Sequence, residues 1–154
     1  MKKSTKIVIA VIIAILVIGG GFYYYASHAA ASHVPGHVYE YTSVSGNQKA
    51  YMTFSQAGDE VIVTPNKEKA LQASDSPSDF EKIYKEQAKE GKWNYKADGS
   101  KLTISKIQNN QVSLWQYNNV LVLGKKMHSS SFTYQIINAG QGIDKKTTNF
   151  EQIK

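Results

Sequence analysis

The side chains best suited to chemistry are four histidines, a serine run and several neighbouring acids. His28, His33 and His37 are separated so that a continuous helix would put His33 and His37 on one face, where two neutral imidazoles could hold a divalent metal. Pro35 interrupts such a helix, and no carboxylate or thiolate stands nearby to complete a ligand set, so solvated histidines are the plainer reading. His128 precedes Ser129, Ser130 and Ser131, which sets a base beside hydroxyls. Adjacent strand residues point to opposite faces, however, and neither a G-x-S-x-G elbow nor a placed third member is present. Asp75 with Asp79, and Glu86 with Glu90, read as solvated acids on a loop and an exposed helix face, since paired-carboxylate catalysis requires a cleft that holds both. Gly140-Gln141-Gly142 is a lone loop pair without the pattern of a phosphate-binding loop. The expectation is a non-enzyme without a resident cofactor. The alternative is a cell-envelope hydrolase or transferase using His128 with a nearby hydroxyl or carboxylate.

Composition narrows the partners. The 154 residues include 18 lysines and no arginine, against 12 acids, and no cysteine. Lacking the guanidinium fork that reads base edges, the chain is not expected to bind nucleic acid. Lacking cysteine, it has no disulfide, thiolate metal site or lipidated cysteine.

Charge and apolarity are unevenly distributed. Ile7 to Ala26 holds 17 apolar residues and three glycines with no charge. As a helix it reaches about 30 Å, the thickness of a bilayer hydrocarbon core. Lys2, Lys3 and Lys6 precede it and the first charge after it is Glu40, an asymmetry that places the N-terminus in the cytoplasm and the rest outside. Tyr23, Tyr24 and Tyr25 suit a headgroup belt. A secretory signal cleaved near Ala31 is the competing reading, although thirteen residues, bulky aromatics among them, lie between the apolar run Ile7 to Ile18 and a cleavage point after Ala29-Ala30-Ala31. The expected organisation is a cytoplasmic tail over 1–6, a transmembrane signal-anchor helix over 7–26, a polar, alanine-rich tether over 27–35 and an extracytoplasmic domain over 36–154.

The outer segment has the punctuation of a β protein. Alternation at Tyr39/Tyr41, Met52/Phe54, Val61/Val63, Trp93/Tyr95 and Leu102/Ile104, with runs at Val112–Tyr117, Val120–Leu123 and Phe132–Ile137, predicts about eight strands. Gly58-Asp59 and Asp98-Gly99-Ser100 supply turns, and Asn118-Asn119 reads as a two-residue hairpin connection because asparagine tolerates positive φ. One helix is expected over Ser78–Glu90, with Ser78 and Glu81 as a capping box, Gly91 as its stop, and Phe80, Ile83, Tyr84 and Ala88 as its packing face. The tail from Ile143 to Lys154 has three apolar anchors and reads as a mobile arm.

Three pieces carry a resemblance. Gly36-His37-Val38-Tyr39-Glu40-Tyr41 opens the first strand, Met52-Thr53-Phe54 leads to Gly58-Asp59-Glu60-Val61, and Gly91-Lys92-Trp93-Asn94-Tyr95 leads to Asp98-Gly99-Ser100-Lys101-Leu102-Thr103-Ile104. In that order they resemble the small lipocalin-like (calycin-type) β-barrel domains of exported, membrane-anchored bacterial proteins. The family usually carries tryptophan where Tyr39 stands, and its lipoprotein members carry an acylated cysteine. The resemblance implies a small antiparallel barrel with an apolar interior and, in many members, a small hydrophobic ligand.

The expected function is therefore a membrane-anchored binding domain for a small apolar molecule or a cell-envelope component. Tyr39, Tyr41, Trp93, Tyr95, Trp115 and Tyr117 are the candidate contacts. Tyr51, Trp115 and Tyr117 cannot all share the core-facing parity of Met52, Val112 and Leu114, so part of this aromatic set must be exposed or covered. Lys125-Lys126 and Lys145-Lys146 form two basic doublets that could face anionic polymer or lipid, although 15 lysines against 12 acids leave the outer domain only +3.

Overall fold

The computed structural model describes residues 3–43, 48–137, 140–144 and 146–154, and Lys2 and Lys145 of the charge arguments lie outside them. It opens with α1 (Lys3–His28), followed by the short α2 (Ala30–His33). The 20 residues Ile9–His28 are long and apolar enough to cross a bilayer, and 6% of their apolar window is buried within the protein. Ile7 and the large apolar side chains from Ile9 to Tyr25 are exposed. A helix apolar on every side that its own chain leaves bare has the character of a membrane anchor or a secretory signal.

Burial begins abruptly at Ala26, which is 2% exposed. The segment expected as a solvated tether is instead part of the core: Ala29, Ala30 and Val34 are buried among residues of both sheets described below. The physical reason is size, because alanines let a helix approach closely. Tyr39 Oη then donates to the His33 carbonyl at 3.1 Å and fastens α2 to the first strand.

The remainder is mainly β, with eleven strands in two antiparallel sheets among the described residues. They are β1 (Val38–Thr42), β2 (Lys49–Phe54), β3 (Val61–Thr64), β4 (Lys92–Asp98), β5 (Lys101–Gln108), β6 (Gln111–Asn118), β7 (Leu121–Leu123), β8 (Lys126–Ser129), β9 (Ser131–Ile136), β10 (Gly140–Asp144) and β11 (Thr148–Gln152). One sheet runs β3-β2-β1-β11-β8-β7 and the other β10-β9-β6-β5-β4. A bridge between Glu60 and Asn94 joins the β3 and β4 edges, reinforced by the Tyr95 amide donating to the Asp59 carbonyl at 2.7 Å. The opposite edge, β7, is covered by the end of α1 and by α2, and α2 also packs on β4. Covering an edge in this way removes a template for unwanted strand pairing. Between the sheets lies one core, built from Tyr39, Tyr41, Met52, Phe54, Leu102, Ile104, Tyr117, Met127, Phe132 and Phe150 among others.

Strands β8, β10 and β11 exceed the eight expected. The C-terminal tail is not a mobile arm: β11 lies in the middle of its sheet, paired with β1 through Tyr41 and Phe150 and with β8 through Phe150 and Met127. Gly140-Gln141-Gly142, expected in a loop, belongs to β10. Asn118-Asn119 is not a hairpin, since β6 pairs with β5 and β9 while β7 pairs with β8 in the other sheet. Asn119, at φ 53°, turns the chain across from one sheet to the other. The two-asparagine hairpin is Asn109-Asn110, with φ of 51° and 60°, between β5 and β6.

The connection from β3 to β4 holds two helices where one was expected, α3 (Lys67–Ala73) and α4 (Pro77–Gln87). Ser76 caps α4 by accepting from the Asp79 amide at 3.1 Å, with Pro77 in the first turn, two residues before the expected cap. Three of the four residues of the expected packing face pack together: Ile83 is buried against Ile62 and Ala73, with Phe80 and Tyr84 beside it, while Ala88 is the C-cap. Helix α3 covers Val38 and Tyr51, so β2 is buried on both faces, which is why Tyr51, Met52, Thr53 and Phe54 are all inaccessible.

Two stability outcomes follow. Ser76→Ala should cost about 1 kcal/mol in urea denaturation while Ser78→Ala changes little, which separates the two caps. Phe150→Ala should cost about 3–5 kcal/mol by the same measurement, whereas a mobile tail would make it neutral.

Candidate functional site

Because directly paired residues in an antiparallel ladder share a face, register places the candidate aromatics. In the five-stranded sheet one inner row reads Ala97, Leu102, Tyr117, Phe132 and the next reads Tyr95, Ile104, Trp115, Tyr134. Trp93 lies two residues further along β4 on the same face, opposite Lys106. Tyr39 and Tyr41 face the same core from the other sheet. All six candidates are thus inward-facing, and Val112 and Leu114 take the outer parity.

Burial divides them. Tyr39, Tyr41 and Tyr117 are buried, whereas Trp93, Tyr95 and Trp115 are half-exposed. Tyr41 stacks on Phe150 at 5.3 Å and meets Tyr117 edge-on at 6.4 Å, so these rings hold the sheets together. Tyr95 packs edge-on to Phe54 at 4.8 Å and donates to the Ser55 carbonyl at 3.0 Å, which fixes the β2–β3 turn. Trp93 and Trp115 lie nearly parallel at 5.2 Å, and Trp115 meets Tyr134 at 5.5 Å. Lys106 Nζ sits 5.3 Å from the Trp93 ring centre, within cation–π reach. Tyr84 Oη donates to the Trp93 carbonyl at 2.9 Å and fixes that strand from α4.

Tyr134 belongs to this half-exposed aromatic face but was not among the expected contacts. Its alternation with Phe132 was visible in sequence, but its place beside Trp115 depends on β6 pairing with β9. Tyr51, considered as an exposed aromatic, is buried under α3 beside Val38 and Ala70.

The other chemical candidates disperse. His128 lies on the outer face of the six-stranded sheet, in an open cleft of about 500 Å³ shared with Glu40, Lys126, Asn149 and Glu151. Its Nδ1 donates to Asn149 Oδ1 at 2.9 Å, an amide partner and not a hydroxyl nucleophile. Ser129 faces inward and donates to the carbonyls of Asn118 and Ser131, while Ser130 accepts from Asn119. His28 and His33 direct Nδ1 at the carbonyls of Tyr24 and Ala29, four residues back. Among the described residues no group of three histidine, cysteine or acidic side chains is placed to hold a metal ion. Asp75 pairs with Lys154, Asp79 accepts from its capping serine, and Glu86 pairs with Lys69 at 3.4 Å.

What the fold and site define is a mainly β domain behind an apolar N-terminal helix, with Trp93, Trp115 and Tyr134 half-exposed on the inner face of its second sheet. No family model, curated protein or solved structure matches the chain.

Burial leaves a titration signature. Desolvation raises the phenols of Tyr39 and Tyr41 from 10.0 to about 12, and raises Tyr117 further, with Tyr41 adding to that shift. The folded state thus disfavours phenolate. The stabilisation is complete below the unfolded value near 10 and disappears as pH rises through about 12. Circular dichroism during an alkaline titration should show unfolding in that window, and Tyr117→Phe should move its midpoint to higher pH. An unchanged alkaline midpoint would show that these phenols do not govern it.

Proposed function

We propose that the chain is a membrane-anchored, extracytoplasmic binding domain without catalytic activity, whose two sheets form a lipocalin-like barrel that holds the apolar part of a small molecule. The observation that carries this reading is the half-exposed face of Trp93, Trp115 and Tyr134 on the inner side of the second sheet, packed against the buried core. Rigid rings of this kind bind apolar surface at low entropic cost because they have few rotors to immobilise. Anchorage is supported by the bare apolar α1. The buried positions of Ala29 and Ala30 also favour an uncleaved segment, since removal near Ala31 would take both out of the core.

Both tryptophans of the chain lie at this face, so energy transfer reports occupancy directly. The full chain in nanodiscs, titrated with a dansyl-labelled fatty acid and excited through tryptophan, should show saturable transfer at one probe per chain. Tyr134→Ala, which keeps both donors, should weaken binding by about tenfold. Transfer that never saturates, or is unaffected by Tyr134→Ala, would overturn the ligand reading.

A further inference from the structure

We propose that the β7–β8 turn is a second membrane contact, with Leu123 entering the headgroup boundary of an anionic bilayer and Lys125 and Lys126 lying against its phosphates. The inference rests on reading α1 as the anchor.

Three independent observations converge on this turn. First, α1 leaves no slack: Tyr25 is 59% exposed and Ala26 2%, so the domain begins within a turn of the bare apolar segment. Second, the end of α1 packs on β7, the edge strand that leads into the turn. Third, topology puts the turn at the end of its sheet where the chain arrives from α2. The Val38 amide donates to the Lys154 carbonyl at 2.9 Å, and the Gln152 amide donates to the Lys125 carbonyl at 2.7 Å. The start of β1, the end of β11 and the β7–β8 turn therefore share one level, and the anchor enters there.

The chemistry of the turn suits lipid. Leu123 is 50% exposed, Gly124 at φ 62° makes the reversal, and Lys125 and Lys126 are exposed beyond it. An apolar residue flanked by cations is the arrangement that gains both from acyl-boundary burial and from anionic headgroups. Lys126 stands opposite Glu151 in the ladder, so Lys125 carries the larger share of the attraction. Two attachments, a span and a turn, would hold the domain in one orientation and aim its aromatic opening.

The absence of cysteine makes the test direct, because single cysteines label cleanly. The full chain carrying Ile13→Cys, Leu123→Cys or Ile107→Cys would be labelled with bimane and reconstituted into vesicles of phosphatidylglycerol and phosphatidylcholine containing nitroxide-labelled lipid. Ile13 lies within α1, and Ile107, 44% exposed, lies on the outer face of the other sheet. Labels at 13 and 123 should be quenched and the label at 107 should not. Quenching at 123 should fall about twofold or more in pure phosphatidylcholine and in the Lys125→Glu, Lys126→Glu background. Quenching at 13 with none at 123 above that at 107 would overturn the second contact while leaving the anchor standing. Quenching at neither 13 nor 123 would overturn the anchor and this inference with it. Equal quenching at 123 in anionic and neutral vesicles would overturn the role given to the two lysines.

Discussion

Phe150, from the C-terminal strand, stacks on Tyr41 at 5.3 Å and stands perpendicular to Tyr117 of the opposite sheet at 5.0 Å. Offset and perpendicular contacts of this kind add to the area that the rings bury. Their consequence is architectural. With Phe150 in place, β11 joins β1 to β8, β8 carries β7, and β7 receives the end of α1. Losing that ring would loosen the first sheet at its centre and, through β7, the junction with the N-terminal helix.

The same parity that builds the core also builds the half-exposed aromatic face. On the inner face of the second sheet, Leu102, Tyr117 and Phe132 are buried, yet Trp93, Trp115 and Tyr134, on the same face and further from that row, are half-exposed. Nothing in side-chain type distinguishes the two groups. What distinguishes them is what faces them: Tyr117 of the first set meets Phe150 and Tyr41 and carries Phe132 beside it, while Trp93 carries Lys106 over its ring. The candidate face is thus the half-exposed margin of a core, and its geometry is held by the contacts that stabilise the domain.

That accounts for what was legible in the sequence. The eight strands marked by apolar alternation or apolar runs could be read because one face of each meets the core, and the packing stripe of α4 could be read for the same reason. The strands that were missed carry almost no such signal. Lys126–Ser129 holds one large apolar residue, Met127, and Thr148–Gln152 holds one, Phe150; both are specified mainly by neighbours on either side. Asn118-Asn119 misled because positive φ serves a crossing as well as a reversal, and only the pairing partners tell them apart. The cap at Ser76 was hidden by a second serine two residues on, with an acid three residues beyond each. For the site, the aromatic set and its inward parity could be read in part, but the division into buried and open members required the register between β6 and β9.

The alanines before the first strand bear on how the domain is presented. An alanine-rich, polar stretch has the composition of a linker, and a linker would let the domain drift from its anchor. Here the small side chains serve close approach, with Ala29, Ala30 and Val34 set among strands of both sheets. A flexible connector transmits no orientation, whereas a helix that runs from an exposed apolar stretch into a core within one turn fixes the angle between them. On the anchored reading, the bilayer therefore acts as a third wall of the domain. On the same reading, a residue that looks like ordinary surface in isolation, such as Leu123 at 50% exposed, would take its environment from where α1 ends.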